Sequence, residues 1–229
     1  MGDLNGSDID AVLLDAGGVL LLPDPLALRR ALAPFGVVPD DETCRRAHYA
    51  GVRALDRLDL PDWRAVDGAV AGAVGVPEEA LDEVVGLIPH VYVTEPWVAA
   101  PGAAQALQRL GAAGLALAVV SNATGTVEQQ LAEHRICSVD GGACARVAVV
   151  VDSHLVGVEK PDPAIFGIAL EALGVEPERS IHVGDSVHFD VQGARAAGVR
   201  PVHLDPYRLC GAGDHAHVRS LEELAARLA

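Results

Sequence analysis

Four short segments of this 229-residue chain carry side chains that can together bind a phosphate group and a metal ion. Asp15 follows an apolar run, and the pair Ser121-Asn122 follows a second one. Lys160 precedes a proline, and Asp185 lies in a Gly-Asp-Ser turn after a third apolar run. Magnesium prefers carboxylate oxygens, whereas hydroxyl, amide and ammonium groups hold phosphate oxygens. We therefore predict a combined magnesium and phosphate site.

Lys160 is the one lysine of the sequence, since the 17 basic residues include no other. The composition uses arginine everywhere else, so an ammonium at this position indicates a need for a compact point charge. Its charge would offset the negative charge that two carboxylates and a phosphate accumulate. Asp190, five residues after Asp185, is expected to orient the lysine or a metal-bound water.

The segments that must position these residues alternate between strand-like and helix-like patterns. Short apolar runs predict strands at 9–14, 115–120, 147–151, 181–183 and 199–204. Helical patterns occupy 103–113, 126–134, 163–173, 187–197 and 221–228. Thr126 with Gln129 predicts a capping box, and Asp162 before Pro163 predicts a helix start. This alternation predicts an α/β fold with a doubly wound parallel sheet, whose ligands collect at the carboxyl ends of the strands.

Residues 21–98 interrupt the alternation. Four helical patterns follow one another there without a strand, at 25–33, 41–57, 63–74 and 78–87. We therefore predict an all-helical insert at 21–97, within a core formed by residues 1–20 and 98–229.

Composition limits the partners of the chain. The net charge of −15 and pI near 4.8 disfavour nucleic acids and anionic membranes, because basic residues are not clustered. No apolar run approaches the roughly twenty residues of a membrane span. The four cysteines show no Cys-x-x-Cys spacing and no secretory signal is recognisable, so a reducing cytoplasm is the expected location. The oligomeric state is not indicated.

The segments Lys160–Phe166 (KPDPAIF) and Gly184–Gly198 (GDSVHFDVQGARAAG), together with those at Asp15 and Ser121, occur in a recognisable order. They resemble the four motifs of the haloacid dehalogenase-like (HAD) hydrolase superfamily, in particular its phosphatase branch. The resemblance implies a Rossmann-like core with an inserted helical cap of the C1 type. It also implies Mg²⁺, a small phosphorylated metabolite as substrate and a covalent aspartyl-phosphate on Asp15.

The resemblance also implies a role for each site residue. Asp15 is the expected nucleophile, and Lys160 the expected partner that neutralises charge. The expected metal ligands are Asp15, Asp185 and the backbone carbonyl of Gly17. Phosphate binding is expected from Ser121, Asn122 and Gly18. Asp190 is expected to support the site without contacting the substrate.

Gly17 departs from the family pattern. Phosphatases of the family usually carry a second aspartate there, which acts as general acid and base. Its loss predicts slow turnover, a substrate with a good leaving group, or a proton donor from elsewhere. Candidate donors are His48, His188, Asp24 and Asp59, and the sequence does not select among them.

Three other functions share part of this pattern. A metal-free dehalogenase resembles the chain in lacking the second aspartate, but Asp185 would then repel an anionic substrate. Relatives that cleave phosphonoacetaldehyde also lack the second aspartate, but they resemble one another in using a lysine of the cap as a Schiff base. The insert of this chain has no lysine, which excludes that reaction. A non-catalytic protein that binds a phosphorylated metabolite remains open, since the missing acid can mark lost turnover.

Overall fold

The computed structural model describes residues 8–57 and 62–229. The chain divides into two compact units. The larger unit consists of two segments, one that ends at Leu21 and one that runs from Ala99 to Ala229, and the smaller unit is Leu22–Val98. Asp59, one of the candidate proton donors, lies outside the described residues. The role of the second unit as a cap stays a prediction.

The larger unit is built on a parallel sheet. In chain order the strands are β1 (Ala11–Leu14), β2 (Leu21–Pro23), β3 (Trp97–Ala99), β4 (Ala116–Ser121), β5 (Cys137–Ser138), β6 (Ala145–Arg146), β7 (Val150–Asp152), β8 (Ser180–Gly184), β9 (Arg200–Leu204) and β10 (Ala216–Val218). Among the described residues, six strands form one sheet in the order β10-β9-β8-β1-β4-β7, with every pairing parallel. Strand β1 is central and fully buried, as its apolar sequence AVLL requires on both faces.

The sheet reverses its strand order at β1. From β1 the chain adds β4 and β7 on one side, and then adds β8, β9 and β10 on the other. This reversal is the switch point at which open α/β sheets form a crevice outside the carboxyl ends of their strands. The α/β fold class predicted from the sequence is thereby confirmed.

Most of the helices lie at predicted positions, whereas the helix Ser153–Val156 was not predicted. In chain order the helices are α1 (Pro25–Leu32), α2 (Asp41–Leu55), α3 (Trp63–Ala73), α4 (Leu81–Thr94), α5 (Ala103–Ala112), α6 (Val127–Glu133), α7 (Ser153–Val156), α8 (Pro163–Leu173), α9 (Gln192–Ala196) and α10 (Leu221–Leu228). Asp162 caps α8 by accepting a hydrogen bond from the Ala164 amide, and Pro163 occupies the first turn. Side chains of α8, Ile165 and Phe166 among them, pack under the sheet in a buried apolar cluster.

The unit Leu22–Val98 has its own apolar core. Helices α1 to α4 contribute buried residues to it, namely Leu28, Leu32, Cys44, Ala47, Val70, Ala71, Val84, Val85 and Ile88. None of the described helices has both the length and the apolarity to cross a bilayer. All four cysteines are free thiols.

Three local predictions were wrong. Thr126 does not cap α6, because its backbone (φ −123°, ψ 2°) lacks the extended conformation of a cap, and its hydroxyl accepts from Gln130 instead. Helix α4 continues past Pro89 to Thr94, since Val91 beyond the proline is buried. The helix predicted at 187–197 begins as a π-turn over Val187–Val191.

Candidate active site

Three predicted site residues lie at the carboxyl ends of neighbouring strands. Asp15 directly follows β1, Ser121 is the last residue of β4, and Asp185 directly follows β8. Strand β1 pairs with both neighbours in register, since Leu14 lies opposite Val119 and Val183. The topology therefore brings the three residues to one edge of the sheet although they are far apart in sequence.

Lys160 lies between two carboxylates in the interior. Its Nζ is 2.9 Å from Asp15 Oδ1 and 2.7 Å from Asp190 Oδ1, and the lysine side chain is 2% exposed. Burial acts against its charged form, but the two aspartates raise the pKa of Lys160 above its ordinary value. Lys160 is therefore a permanent positive charge held by two buried acids.

The pKa values of the two acids are shifted in opposite directions. Burial raises the pKa of Asp15 above its ordinary value; the charge of Lys160 opposes this rise, whereas the charge of Asp190 adds to it. Burial acts to raise the pKa of Asp190 too, but the charge of Lys160 and the hydrogen bond from His182 lower it below the usual range. Asp190 is thus the firmly ionised partner of the lysine, whereas burial disfavours the charged form of Asp15.

Asp190 is fixed from three directions. Its Oδ1 accepts from Lys160 and lies 2.9 Å from His182 Nε2, and its Oδ2 accepts from the Ser186 amide at 3.1 Å. The π-turn over Val187–Val191 carries Asp190 into this position. A Cβ on Gly184 would lie 2.0 Å from Asp190 Cγ, so this close approach requires glycine.

Asn122 binds the backbone of Lys160. Its Oδ1 accepts from the Lys160 amide at 2.7 Å, and its Nδ2 donates to the Lys160 carbonyl at 3.0 Å. The prediction for Asn122 concerned its backbone amide, so this use of the side chain is an additional role. It fixes the segment that carries the lysine next to the carboxyl end of β4.

Asp152 and Ser153 hold the loop that follows Ser121. Asp152 is the register partner of Ser121, and its Oδ2 accepts from the Gly125 amide at 2.9 Å. Ser153 Oγ accepts from the Ala123 amide at 3.2 Å. The loop predicted to bind phosphate is thereby fixed to the neighbouring strand.

Three buried carboxylates meet at this edge of the sheet. One oxygen from each of Asp15, Asp185 and Asp190 lies within 4.8 Å of the others. Because Lys160 supplies one positive charge against three acids, the group favours an additional cation, and its all-oxygen character suits Mg²⁺. Both oxygens of Asp190 already accept hydrogen bonds, which suits this acid to orienting the lysine.

The turn after Asp15 contains the two predicted glycines. Gly17 forms an isolated parallel bridge with Leu21, and the Gly18 amide donates to the Leu21 carbonyl at 2.8 Å. Gly18 has φ +72°, a conformation that favours glycine. The metal-binding role of Gly17 and the phosphate-binding role of Gly18 stay predictions.

The candidate proton donors have other contacts. Asp24 caps α1 by accepting from the Leu26 amide at 2.9 Å. The His48 ring lies in an aromatic group with Tyr92 and Trp97, with ring centroids 5.9 Å away in each case. His188 packs edge-on against Phe189, with ring centroids 4.8 Å apart. None of these contacts identifies the donor.

His182, which contacts Asp190 at 2.9 Å, was not predicted as a site residue. It lies in the interior of β8, is fully buried, and packs edge-on against Phe166 at 4.9 Å. A histidine within an otherwise apolar strand was the sequence feature that could have indicated it.

A separate cavity of about 450 Å³ lies at the start of β4, lined by Leu115 and Leu117, at the opposite end of that strand from Ser121.

Comparisons with known proteins agree with this architecture. A family model described as haloacid dehalogenase-like hydrolase matches residues 9–198. A phosphoserine phosphatase of Thermus thermophilus is 41% identical over 92 residues, which make up 40% of this chain and 34% of that protein. The chain thus spans about a third of the length of this relative.

Two further proteins match over most of the chain. Haloacid dehalogenase-like hydrolase domain-containing protein 3 of Mus musculus is 32% identical over 178 residues, covering 72% of this chain and 68% of that protein. The crystal structure of a HAD phosphatase from Thermococcus onnurineus has a TM-score of 0.59 at 24% identity, covering 96% of this chain and 98% of the other. The resemblance found in the motifs is confirmed, and the chain belongs to the haloacid dehalogenase-like hydrolase family.

Proposed function

We propose that this protein is a magnesium-dependent phosphoric monoester hydrolase that acts on a small phosphorylated metabolite. The observation that carries the proposal is the buried group of Asp15, Lys160 and Asp190, joined by contacts of 2.9 and 2.7 Å at the switch point of the sheet. The charge of Lys160 favours the ionised form of Asp15, which a carboxylate nucleophile requires.

Asp15 is the proposed nucleophile. Its Oδ1 accepts from Lys160 and from the Ala16 amide at 2.7 Å, so these bonds leave Oδ2 to attack phosphorus. As the new O–P bond forms, the bond from phosphorus to the leaving oxygen breaks, and that oxygen departs as an anion that takes a proton from water. Water then attacks phosphorus, releases phosphate and restores the carboxylate. Division into two displacements lowers the barrier that a single step would face.

The neighbouring residues bind and orient the phosphoryl group. Ser121 with the Asn122 amide is the proposed contact for its oxygens, and Lys160 offsets their charge. Asp15, Asp185 and the Gly17 carbonyl would hold Mg²⁺, which supplies charge stabilisation to the transferred group when bound. Asp190 keeps the lysine in place.

The absence of an acid at position 17 supports a second candidate. Without that aspartate, the chain can bind a phosphorylated metabolite and not turn it over. The residues that bind phosphate and metal are the same in both cases, so only turnover separates the two functions.

The proposed function predicts magnesium-dependent release of phosphate from an aryl phosphate, whose leaving group needs little protonation. We expect turnover with Mg²⁺ and loss of turnover after chelation with EDTA, because two ligand carboxylates then repel the substrate. Phosphate release is measured for an aryl phosphate and for a panel of sugar, nucleotide, acyl and amino-acid phosphates. Phosphoserine belongs in the panel because of the Thermus relative.

Activity that persists in EDTA would contradict the magnesium requirement. Complete inactivity on the whole panel, combined with tight binding of Mg²⁺ and inorganic phosphate, would establish the non-catalytic alternative. Release of halide from a 2-haloacid in the absence of metal would instead indicate that the protein is a dehalogenase.

Gly17→Asp is predicted to raise turnover most for substrates with poor leaving groups. Gly17 is not among the residues with positive φ, so aspartate fits its backbone without strain. General acid catalysis contributes about 10²–10⁴-fold, and a good leaving group gains little of it. We therefore expect an increase of at least about tenfold on an alkyl phosphate and little change on an aryl phosphate. Rates on both substrates are the measurement.

Gly17→Asn is the matched control, because it adds the same volume without an ionisable group. It should give no gain on either substrate. Equal effects of Gly17→Asp on both substrates would argue that a residue of the insert already supplies the proton.

A further inference from the structure

A second cluster of side chains lies at the edge of the large sheet, where β9 and β10 are neighbours. His203 and His217 are register partners on these strands, and their ring centroids are 5.2 Å apart. His215 lies just before β10, and its ring centroid is 4.5 Å from that of His217. With Cys210 from the connecting loop, each of these residues offers a donor atom within 4.8 Å of the others. We call these four residues the His/Cys cluster.

The loop between β9 and β10 is shaped so that Cys210 reaches the cluster. Asp205 accepts two backbone hydrogen bonds, from the Leu209 amide at 2.8 Å and from the Cys210 amide at 2.9 Å. The half-buried thiol then lies 3.8 Å from His215 Nε2. The position of the thiol is thus fixed by backbone contacts close to it.

Two histidines of the cluster direct lone pairs at each other. His203 Nε2 lies 2.9 Å from the Asp185 carbonyl oxygen, which only accepts, so the ring proton belongs on Nε2. His215 Nδ1 lies 2.8 Å from the Asp214 carboxylate, which places its proton on Nδ1. When both rings are neutral, His203 Nδ1 and His215 Nε2 therefore face each other without a proton at 3.2 Å. Such a pair favours a cation between the two nitrogens.

His217 supplies a second, independent observation. Its Nε2 is buried and has no hydrogen-bond partner among the described residues. A buried polar atom without a partner destabilises the folded state, so a ligand that binds it is stabilising. A metal ion in the cluster would satisfy this nitrogen.

We propose that His203, Cys210, His215 and His217 bind one Zn²⁺ ion. Imidazole nitrogen and thiolate sulfur are donors that zinc favours, and four protein donors make a closed, four-coordinate site. Tetrahedral zinc with bonds of about 2.0–2.3 Å separates its ligand atoms by about 3.3–3.6 Å. The contacts of 3.2 Å between the two nitrogens and 3.8 Å between sulfur and nitrogen are close to these values.

The surroundings of the cluster have the features of a metal site. Metal-binding histidines usually donate their second ring proton to a carboxylate or a carbonyl, as His215 and His203 do. Arg195 holds Asp214 in turn, with contacts of 2.8 Å to its carboxylate and 2.6 Å to its carbonyl. Through His203, the ion would also support the backbone of Asp185, which is a magnesium ligand under the proposed function.

The test is the metal content of the full chain, expressed without a polyhistidine tag and purified without chelators. We expect about one zinc ion per chain by inductively coupled plasma mass spectrometry. Cys210→Ser and His217→Ala should each lose most of this zinc on dialysis. Asp214→Asn should weaken zinc binding by about 10–100-fold in a competition titration, because it removes the negative charge that faces the ring proton of His215.

Two controls separate this site from the others. Cys144→Ser makes the same change at another half-buried cysteine and should keep the zinc. Asp15→Asn should also keep it, so failure of the proposed function leaves the zinc result readable. Circular dichroism checks that each variant is folded.

A cobalt spectrum provides a readout that does not depend on affinity. Co²⁺ bound in place of zinc should show a thiolate-to-metal absorption band that Cys210→Ser lacks and His217→Ala alters. A wild-type chain that binds no zinc overturns the proposal. Zinc that stays in both folded variants, or a cobalt complex without a thiolate band, overturns it as well.

Discussion

Asp15→Asn is expected to abolish phosphate release while leaving the fold intact. The amide oxygen is a poor nucleophile, and removal of a covalent nucleophile costs on the order of 10⁴-fold or more in turnover. The change keeps the shape of the side chain and removes one of three carboxylates gathered within 4.8 Å. Initial rates on an aryl phosphate at saturating Mg²⁺ measure the loss, and thermal unfolding without metal should show no loss of stability.

Asp10→Asn is the matched control. Asp10 precedes β1, is exposed, and pairs with Arg179 away from the site. The same chemical change there should leave turnover within about twofold of the wild type, because exposed ion pairs contribute little. Turnover by Asp15→Asn above about a hundredth of the wild-type rate would exclude an aspartyl-phosphate route.

The strand-end residues of the site were predictable from the sequence because parallel sheets place carboxyl ends together. Asp15, Ser121 and Asp185 each follow or end a short apolar run, and the sheet then determines that they meet. Their order along the chain carried the family resemblance that the comparisons confirm. Substrate choice was not predictable, since it depends on side chains that no local pattern encodes.

The contacts that position Lys160 could not be predicted from local sequence patterns. Helical periodicity at 187–197 does not reveal the π-turn that brings Asp190 inward, because a π-turn changes the hydrogen-bond spacing without changing composition. The bonds from the Asn122 side chain to the Lys160 backbone join residues 38 positions apart. Likewise, the His/Cys cluster forms only when β10 pairs with β9, and β10 has three residues.

Lys160→Met is expected to destabilise the protein by about 3–5 kcal/mol at pH 7 without metal, the cost of breaking a buried ion pair from one side. Methionine retains the length of the side chain and leaves Asp15 and Asp190 buried without their cation. Their pKa values then rise in the folded state, so the variant takes up protons that the wild type does not. The loss of stability should therefore be largest at pH 7 and shrink towards pH 5. Urea unfolding in EDTA at both pH values measures it.

Two companion variants separate charge from shape at this position. Arg109→Met removes an exposed positive charge and should change stability by no more than about 0.5 kcal/mol. Lys160→Arg keeps the charge but places a larger planar group between two acids fitted to an ammonium, so it should cost about 1–3 kcal/mol and not restore turnover. A destabilisation by Lys160→Met that does not change with pH would mean that lost packing, and not the two uncompensated carboxylates, is the cause. Full turnover by Lys160→Arg would show that charge alone suffices, and the use of lysine here and arginine elsewhere would then have no basis in the site.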